Sequence, residues 1–338
     1  MSFLKLLLKG ILAGITAVAI LCGIFALYLV TPVHIPSTKG NTDYVWPANS
    51  RWVTMREGIS WGRYDADGFN NPEVIENPDI LILGSSHMEA TNVLQKETVA
   101  VRLGGLLEGE YTVYNMGISG HHFLKVCKYL PVTLSLYDAP PKAIVIETST
   151  TCFSAGKLEA YFEGNVDFTP SHNTGITAAL QKLPFFRLLY RQLEDGLLRL
   201  FLSREVPAAA PSAAGPSQID TDTYDALFRS IQSVIRDSGT ELIIFYHPSE
   251  EILPDGSVVF RPDETTALFA EKCEAYGITF VDMTQRFSEM SRVSHKVPHG
   301  FATGKLGWGH LNAYGHEAVA RALADTIREL EEAGKLCK

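Results

Sequence analysis

The chain is poor in cysteine and in positive charge, and each shortage excludes something. Its five cysteines, Cys22, Cys127, Cys152, Cys273 and Cys337, are scattered through 338 residues with no C-x-x-C pair. That spacing excludes a disulfide-stapled miniature and a cysteine zinc module, and leaves isolated thiols. Lysine and arginine total 29 against 38 aspartates and glutamates, a formal charge of -9. An acidic chain has no electrostatic drive toward nucleic acid, so no nucleic-acid partner is expected. No H-E-x-x-H segment occurs, and neither His121–His122 nor the His295 and His299 pair stands beside a carboxylate cluster. No metal and no cofactor are expected on that basis.

Charge is absent altogether from Gly10 to Val33. About 20 apolar residues cross a bilayer as a helix, whereas a cleaved leader has an apolar stretch of about 7–15. The following Ala26-Leu27-Tyr28-Leu29-Val30-Thr31-Pro32 offers no small-residue cleavage site, and Leu21 before Cys22 is too large for lipoprotein processing. Residues 1–33 are therefore expected to persist as a transmembrane anchor. Lys5 and Lys9 precede the apolar run, and the positive-inside rule puts them in the cytoplasm. The globular part is then expected outside the cytoplasmic membrane, on the periplasmic or extracellular side. Residues 34–78, rich in Pro, Asn, Gly and Trp, read as a stalk and lead-in.

From residue 79 onward short apolar runs alternate with helical segments. Strands are expected at Ile80–Leu83, Tyr111–Asn115, Ala143–Ile146, Glu241–Tyr246 and Ile278–Val281. Helices are expected at Leu94–Leu107, His122–Leu136, Tyr224–Ser238, Pro262–Tyr276 and Ala313–Ala333, the last with Asn312 as its N-cap. This rhythm predicts an α/β domain over 79–333, a three-layer sandwich with a mainly parallel sheet. Residues 152–220 break the rhythm and read as a helical insertion. Within it Leu180–Phe201 reads as an apolar helix and Pro207–Ser217 as an Ala/Pro/Ser/Gly loop.

Three segments carry candidate chemistry. Asp79-Ile80-Leu81-Ile82-Leu83-Gly84-Ser85-Ser86-His87 reads as a buried strand that stops at glycine and hands over to serine. α/β enzymes present a nucleophile in this way above the carboxyl edge of a sheet, although Ser86 equally suits a helix N-cap. Val113-Tyr114-Asn115-Met116-Gly117-Ile118-Ser119-Gly120 ends a second strand in a glycine turn that leaves a backbone N–H unobstructed. Gly307-Trp308-Gly309-His310-Leu311-Asn312 places a histidine just ahead of the closing helix. His87 either lines the same pocket or sits on an exposed helical turn.

In this order the segments resemble the SGNH (GDSL-like) hydrolase superfamily, over residues 79–151 and 278–330. Gly84-Ser85-Ser86 stands where the family has Gly-Asp-Ser, which implies Ser86 as nucleophile. Asn115 to Gly120 resembles the second block, which implies the N–H groups of Ser86 and Gly120 as an oxyanion hole. His310, followed by Leu311-Asn312 and by Gly315, is similar to the closing block, which implies His310 as base. Two departures stand out. The third block, usually Gly-x-Asn-Asp, reads Glu147-Thr148-Ser149-Thr150-Thr151, which puts Thr151 where an oxyanion asparagine would lie. The acid usual three residues before the histidine is replaced by Gly307, so the third member is missing, moved or replaced by a backbone carbonyl; Asp282, at a strand end, is the candidate substitute, or else caps the turn after its strand. With a single anchor, the chain looks like divergent export-side members that include acyl-modifying proteins of envelope polysaccharides. The resemblance implies a membrane-anchored, outward-facing serine esterase or O-acyltransferase acting on acyl esters, with cell-envelope carbohydrate as a substrate class. The alternative is a catalytically silent domain of the same fold that binds carbohydrate or a protein partner in an envelope assembly.

Overall fold

A computed structural model of the protein describes residues 3–28, 34–54, 57–164, 166, 221–236 and 238–336. The helix expected at Leu180–Phe201, the loop expected at Pro207–Ser217 and Cys337 lie outside the described residues.

Helix α1 (Phe3–Tyr28) takes in Lys5 and Lys9 and then most of the uncharged N-terminal run. Its stretch Phe3–Ile24, 22 residues with mean hydropathy 2.2, is long and apolar enough to cross a membrane.

The described residues from His34 onward belong to a separate unit. It opens with short antiparallel pairs, β1 (Ile35–Pro36) with β2 (Tyr44–Val45) and β3 (Arg51–Thr54) with β4 (Ser60–Arg63). Trp46, Trp52 and Tyr64 bury themselves together there. The alternating part then runs β5 (Ile80–Leu83), α2 (Ser86–Glu89), α3 (Val99–Leu106), β6 (Val113–Asn115), α4 (Phe123–Leu134), β7 (Ala143–Thr148) and α5 (Ala155–Phe162). It continues through α6 (Thr221–Ile235), β8 (Glu241–Tyr246), the hairpin β9 (Ser249–Ile252) and β10 (Val258–Arg261), α7 (Thr266–Ala275), β11 (Thr279–Asp282), α8 (Thr284–Ser294) and α9 (Ala313–Glu332).

Five of these strands form one parallel sheet in the order β6-β5-β7-β8-β11. Every residue of β5 and β7 is buried. For β5 and for Ala143–Ile146 of β7 that follows from unbroken apolar runs, which suit strands covered on both faces. Alternate side chains serve opposite layers. Leu81, Leu83, Ile144, Ile146, Leu242 and Ile244 pack with Phe123, Leu227, Phe228 and Phe269 of α4, α6 and α7. Ile80, Ile82, Val145, Ile243 and Phe245 pack with Leu103, Phe287, Val319, Leu323 and Ile327 of α3, α8 and α9. The result is the expected three-layer α/β sandwich.

The chain moves from β5 outward to β6, then returns past β5 to β7 and continues the other way. In an open parallel sheet, ligands bind at the carboxyl ends of the strands where the order reverses. The reversal between β5 and β7 therefore directs attention to Gly84-Ser85-Ser86 and to Glu147.

Candidate active site

The turn after β5 is compressed. A Cβ on Gly84 would lie 2.7 Å from Glu147 Cβ and 2.7 Å from Met88 Cγ, so glycine lets the turn sit against β7. Ser85, not Ser86, caps α2: its hydroxyl accepts the His87 N–H at 3.3 Å and its own N–H donates to Glu147 Oε2 at 2.7 Å. The hydroxyl of Ser86 is thereby left for another partner. That partner is His310, whose Nε2 lies 2.8 Å from Ser86 Oγ.

The closing block holds His310 from several sides. Asn312 Oδ1 caps α9 by accepting the N–H groups of Tyr314 and Gly315, and its amide donates to the carbonyls of Val297 and Gly300. The Gly300 N–H donates to the His310 carbonyl at 2.9 Å. On the far side of the ring, the Glu57 carboxylate accepts from His310 Nδ1 and, at 3.3 Å, from the His310 backbone N–H. Gly309 makes room for that carboxylate: its φ is +94°, and a Cβ there would stand 3.0 Å from Glu57 Oε1. Glu57 is held by its own neighbours, since Asn92 donates to its carbonyl at 3.0 Å and Gly58 N–H donates to Thr303 Oγ1 at 2.9 Å. A carboxylate on Nδ1 fixes the ring proton there and leaves the Nε2 lone pair facing Ser86, which is the arrangement a general base needs.

The second block packs on α2. A Cβ on Gly117 would lie 2.5 Å from backbone atoms of Met88 and Glu89, and the Ile118 N–H donates to the Gly84 carbonyl at 3.0 Å. Glu89 accepts from the Ser119 N–H at 2.6 Å and from the Ser119 hydroxyl. Gly120 follows with φ +81°. Among the described residues, the N–H groups of Ser86 and Gly120 have no protein acceptor.

Thr151 and Asp282 do not join this group. The Thr151 N–H donates to Asp263 Oδ2 at 2.7 Å, and its buried hydroxyl lies 3.0 and 3.1 Å from the hydroxyls of Thr265 and Thr266. Its donors are committed to the loop before α7 rather than offered to an oxyanion. Asp282 is exposed and accepts the N–H and hydroxyl of Thr284 at the start of α8. The carboxylate at His310 comes instead from the lead-in, a residue that no spacing rule points to.

A second polar group lies behind the serine. Glu147 accepts from Ser85 N–H and lies 2.9 Å from His247 Nε2. Burial pushes the Glu147 carboxyl up, but the hydrogen bonds from His247 and Ser85 outweigh it and hold it below its usual range. His247 Nδ1 lies 3.0 Å from His299 Nε2. His87 turns inward, its ring centroid 4.4 Å from His247 and 5.2 Å from His310, and its Nδ1 accepts the Leu311 N–H at 3.2 Å. Burial first, and then the neighbouring histidines, hold His87 well below the usual histidine range. Sequence order places His299 beside His295; the fold places it beside His247, a pairing created by the tertiary structure alone.

No protein-family model matches the sequence, and none of the curated proteins compared with it matches. Solved structures do resemble it at a distance. An α/β hydrolase from the metagenome of Lake Arreo, Spain, is 14% identical, with 78% of this chain covering 99% of that one at a TM-score of 0.37. An acetylxylan esterase from Geobacillus stearothermophilus, solved as a catalytic mutant, is 15% identical over 75% of this chain and 95% of that one, TM-score 0.40. The acetyl xylan esterase AlAXEase is 11% identical over 73% of this chain and 99% of that one, TM-score 0.41. Likenesses this remote transfer no role to any residue.

Proposed function

We propose that the protein is a serine ester hydrolase or O-acyltransferase in which Ser86, His310 and Glu57 act as nucleophile, base and orienting acid. The observation that carries this reading is the 2.8 Å approach of Ser86 Oγ to His310 Nε2, with a carboxylate on the opposite ring nitrogen. Ser86 Oγ attacks the ester carbonyl while its proton passes to His310 Nε2. The N–H groups of Ser86 and Gly120 receive the oxyanion, and one such donor is typically worth about 10²–10³ in rate. Collapse expels the alkoxide, which takes the proton back from His310, and leaves acyl-Ser86. Water then releases the acid in a hydrolase, or an acceptor hydroxyl takes the acyl group in a transferase. Glu57 stays ionised throughout and stabilises the imidazolium.

The finer reading places α1 in the cytoplasmic membrane as an anchor, with Lys5 and Lys9 inside and the site facing outward. Its substrate class is the acyl ester, with envelope carbohydrate as the bearer. Trp308, two residues before His310, and Trp61, four after Glu57, are each 61% exposed and offer flat apolar faces near the chain segments that build the site. The test is Ser86→Ala in the full chain, assayed on p-nitrophenyl acetate. Turnover is expected to fall by about 10³-fold or more with an unchanged thermal midpoint. Turnover that survives in a folded S86A protein overturns the reading. Adding a sugar acceptor to the wild type separates transfer from hydrolysis by the product formed.

A further inference from the structure

Glu147, His247, His299 and Glu250 form one buried row. Glu147 Oε1 lies 2.9 Å from His247 Nε2, His247 Nδ1 3.0 Å from His299 Nε2, and His299 Nδ1 3.0 Å from Glu250 Oε2. Their side chains are 2%, 2%, 7% and 0% exposed. An ionised carboxylate only accepts. His247 therefore carries its proton on Nε2 and His299 carries its own on Nδ1. The neutral rings then turn two lone pairs toward each other across 3.0 Å. Two lone pairs do not bond, so a cation belongs between them. A third proton would close the gap but leave the row with one uncompensated negative charge out of water. A divalent ion would leave it neutral, which is how buried carboxylates are best tolerated. A third imidazole, His87, brings a ring nitrogen within 4.8 Å of the other two.

We propose that His87, His247 and His299 bind a divalent transition-metal ion, with zinc the species best suited to three imidazoles. Glu147 and Glu250 are the outer carboxylates that fix the tautomer and aim of two of the rings, as second partners of metal-bound histidines do. Zinc–nitrogen bonds of about 2.0–2.1 Å in a tetrahedral site need ligand nitrogens roughly 3.3 Å apart. The His247–His299 pair thus opens by only a few tenths of an ångström. His87 must adjust more. Its Nδ1 now accepts the Leu311 N–H at 3.2 Å, and ligation through Nε2 moves the ring proton to Nδ1 and gives up that long hydrogen bond. The three ligands come from three parts of the chain: α2 directly after Ser86, the end of β8, and the closing block that carries His310. The ion would tie the segment bearing the serine to the segment bearing the imidazole. It uses none of the atoms assigned above to the acyl-transfer chemistry.

The test uses the full-length protein in detergent, stripped with EDTA and reloaded with zinc or cobalt chloride. Elemental analysis after gel filtration is expected to give one zinc per chain, and the cobalt form is expected to show visible d–d absorption. Zinc is expected to raise the thermal midpoint. His247→Gln and His299→Gln are expected to lose the ion, and Glu147→Gln to bind it about 10–100-fold more weakly. Ser86→Ala is expected to keep full stoichiometry even if the catalytic assignment fails, so the two proposals are separately decided. A folded wild type that takes up no zinc, with a midpoint indifferent to EDTA and to added metal, overturns the proposal and assigns the gap to a shared proton. Full zinc retention by both histidine variants overturns it as well, because the ion would then lie elsewhere.

Discussion

Replacing Glu57 with glutamine removes one negative charge and keeps the side chain's shape. The Glu57 carboxylate accepts from both Nδ1 and the backbone N–H of His310. Once Ser86 passes its proton to Nε2, the ring is cationic and faces the carboxylate in hydrogen-bond contact, for which a charge separation of about 4 Å is representative. The side chains are 30% and 20% exposed, which argues for screening between bulk water and a dry interior. With an effective dielectric constant of about 20, the attraction is about 4 kcal/mol. Because that attraction develops only as the imidazolium forms, it acts on the transition state and not on the bound ester. The expected result is a fall in kcat of about 10³-fold with KM changed by less than about threefold. Glutamine adds a second handicap, since its amide can donate to Nδ1 and turn a Nε2–H toward Ser86, the wrong tautomer for a base. The assay is steady-state hydrolysis of p-nitrophenyl acetate by E57Q, with a thermal melt in parallel. A folded variant whose kcat stays within about threefold of wild type would refute the reasoning, because the imidazolium would then need no partner.

Gly309→Ala forces a φ near +94° on a residue with a Cβ and sets that Cβ 3.0 Å from Glu57 Oε1. It should cost about 1–3 kcal/mol in stability and lower kcat as Glu57 is displaced, read by urea melts and turnover; an unaffected kcat would detach Gly309 from the site. Asp282→Asn should leave kcat within about twofold, since its carboxylate serves the start of α8; a large loss would restore it as the acid. Burial holds the imidazole of His121 down to about 3, with Lys125 adding to the effect. Burial likewise holds His316 down to about 3, with Arg102 adding to it. Between that value and about 6.5 the unfolded chain binds protons that the folded chain refuses. Stability is therefore complete above pH 6.5 and is lost as pH falls, by about 1.4 kcal/mol per pH unit for each group. Urea midpoints that coincide at pH 7 and pH 5 would contradict this.

Much of the fold was legible because its signals are local. Ile80–Leu83 and Ala143–Ile146 are unbroken runs of aliphatic residues bounded by polar or glycine positions, and such runs become central strands of a parallel sheet. Asn312 announces the start of α9 because a cap acts within three residues. Ser86 and His310 were legible as members of an ordered set of segments around those strands. What escaped is non-local. Glu57 lies in a lead-in with no periodicity, and only folding brings it to Gly309 and His310. Thr151 sits where spacing suggests an oxyanion donor, but Asp263, Thr265 and Thr266 claim its hydrogen bonds from over a hundred residues away. Between Ser85 and Ser86 the sequence contains nothing that assigns the cap, whereas Glu147 beneath the turn settles it on Ser85. The β9–β10 hairpin has no signature in the sequence: its first strand, Ser249-Glu250-Glu251-Ile252, is too polar to read as one, yet it carries Glu250 to His299.

The central claim, that Ser86 is an activated nucleophile, is tested most directly by mapping a fluorophosphonate probe by mass spectrometry on the folded full-length protein. The account predicts one adduct per chain, on the Ser86 hydroxyl, that is absent from His310→Ala. A folded protein that remains unlabelled, or that takes the probe at another residue, would contradict it.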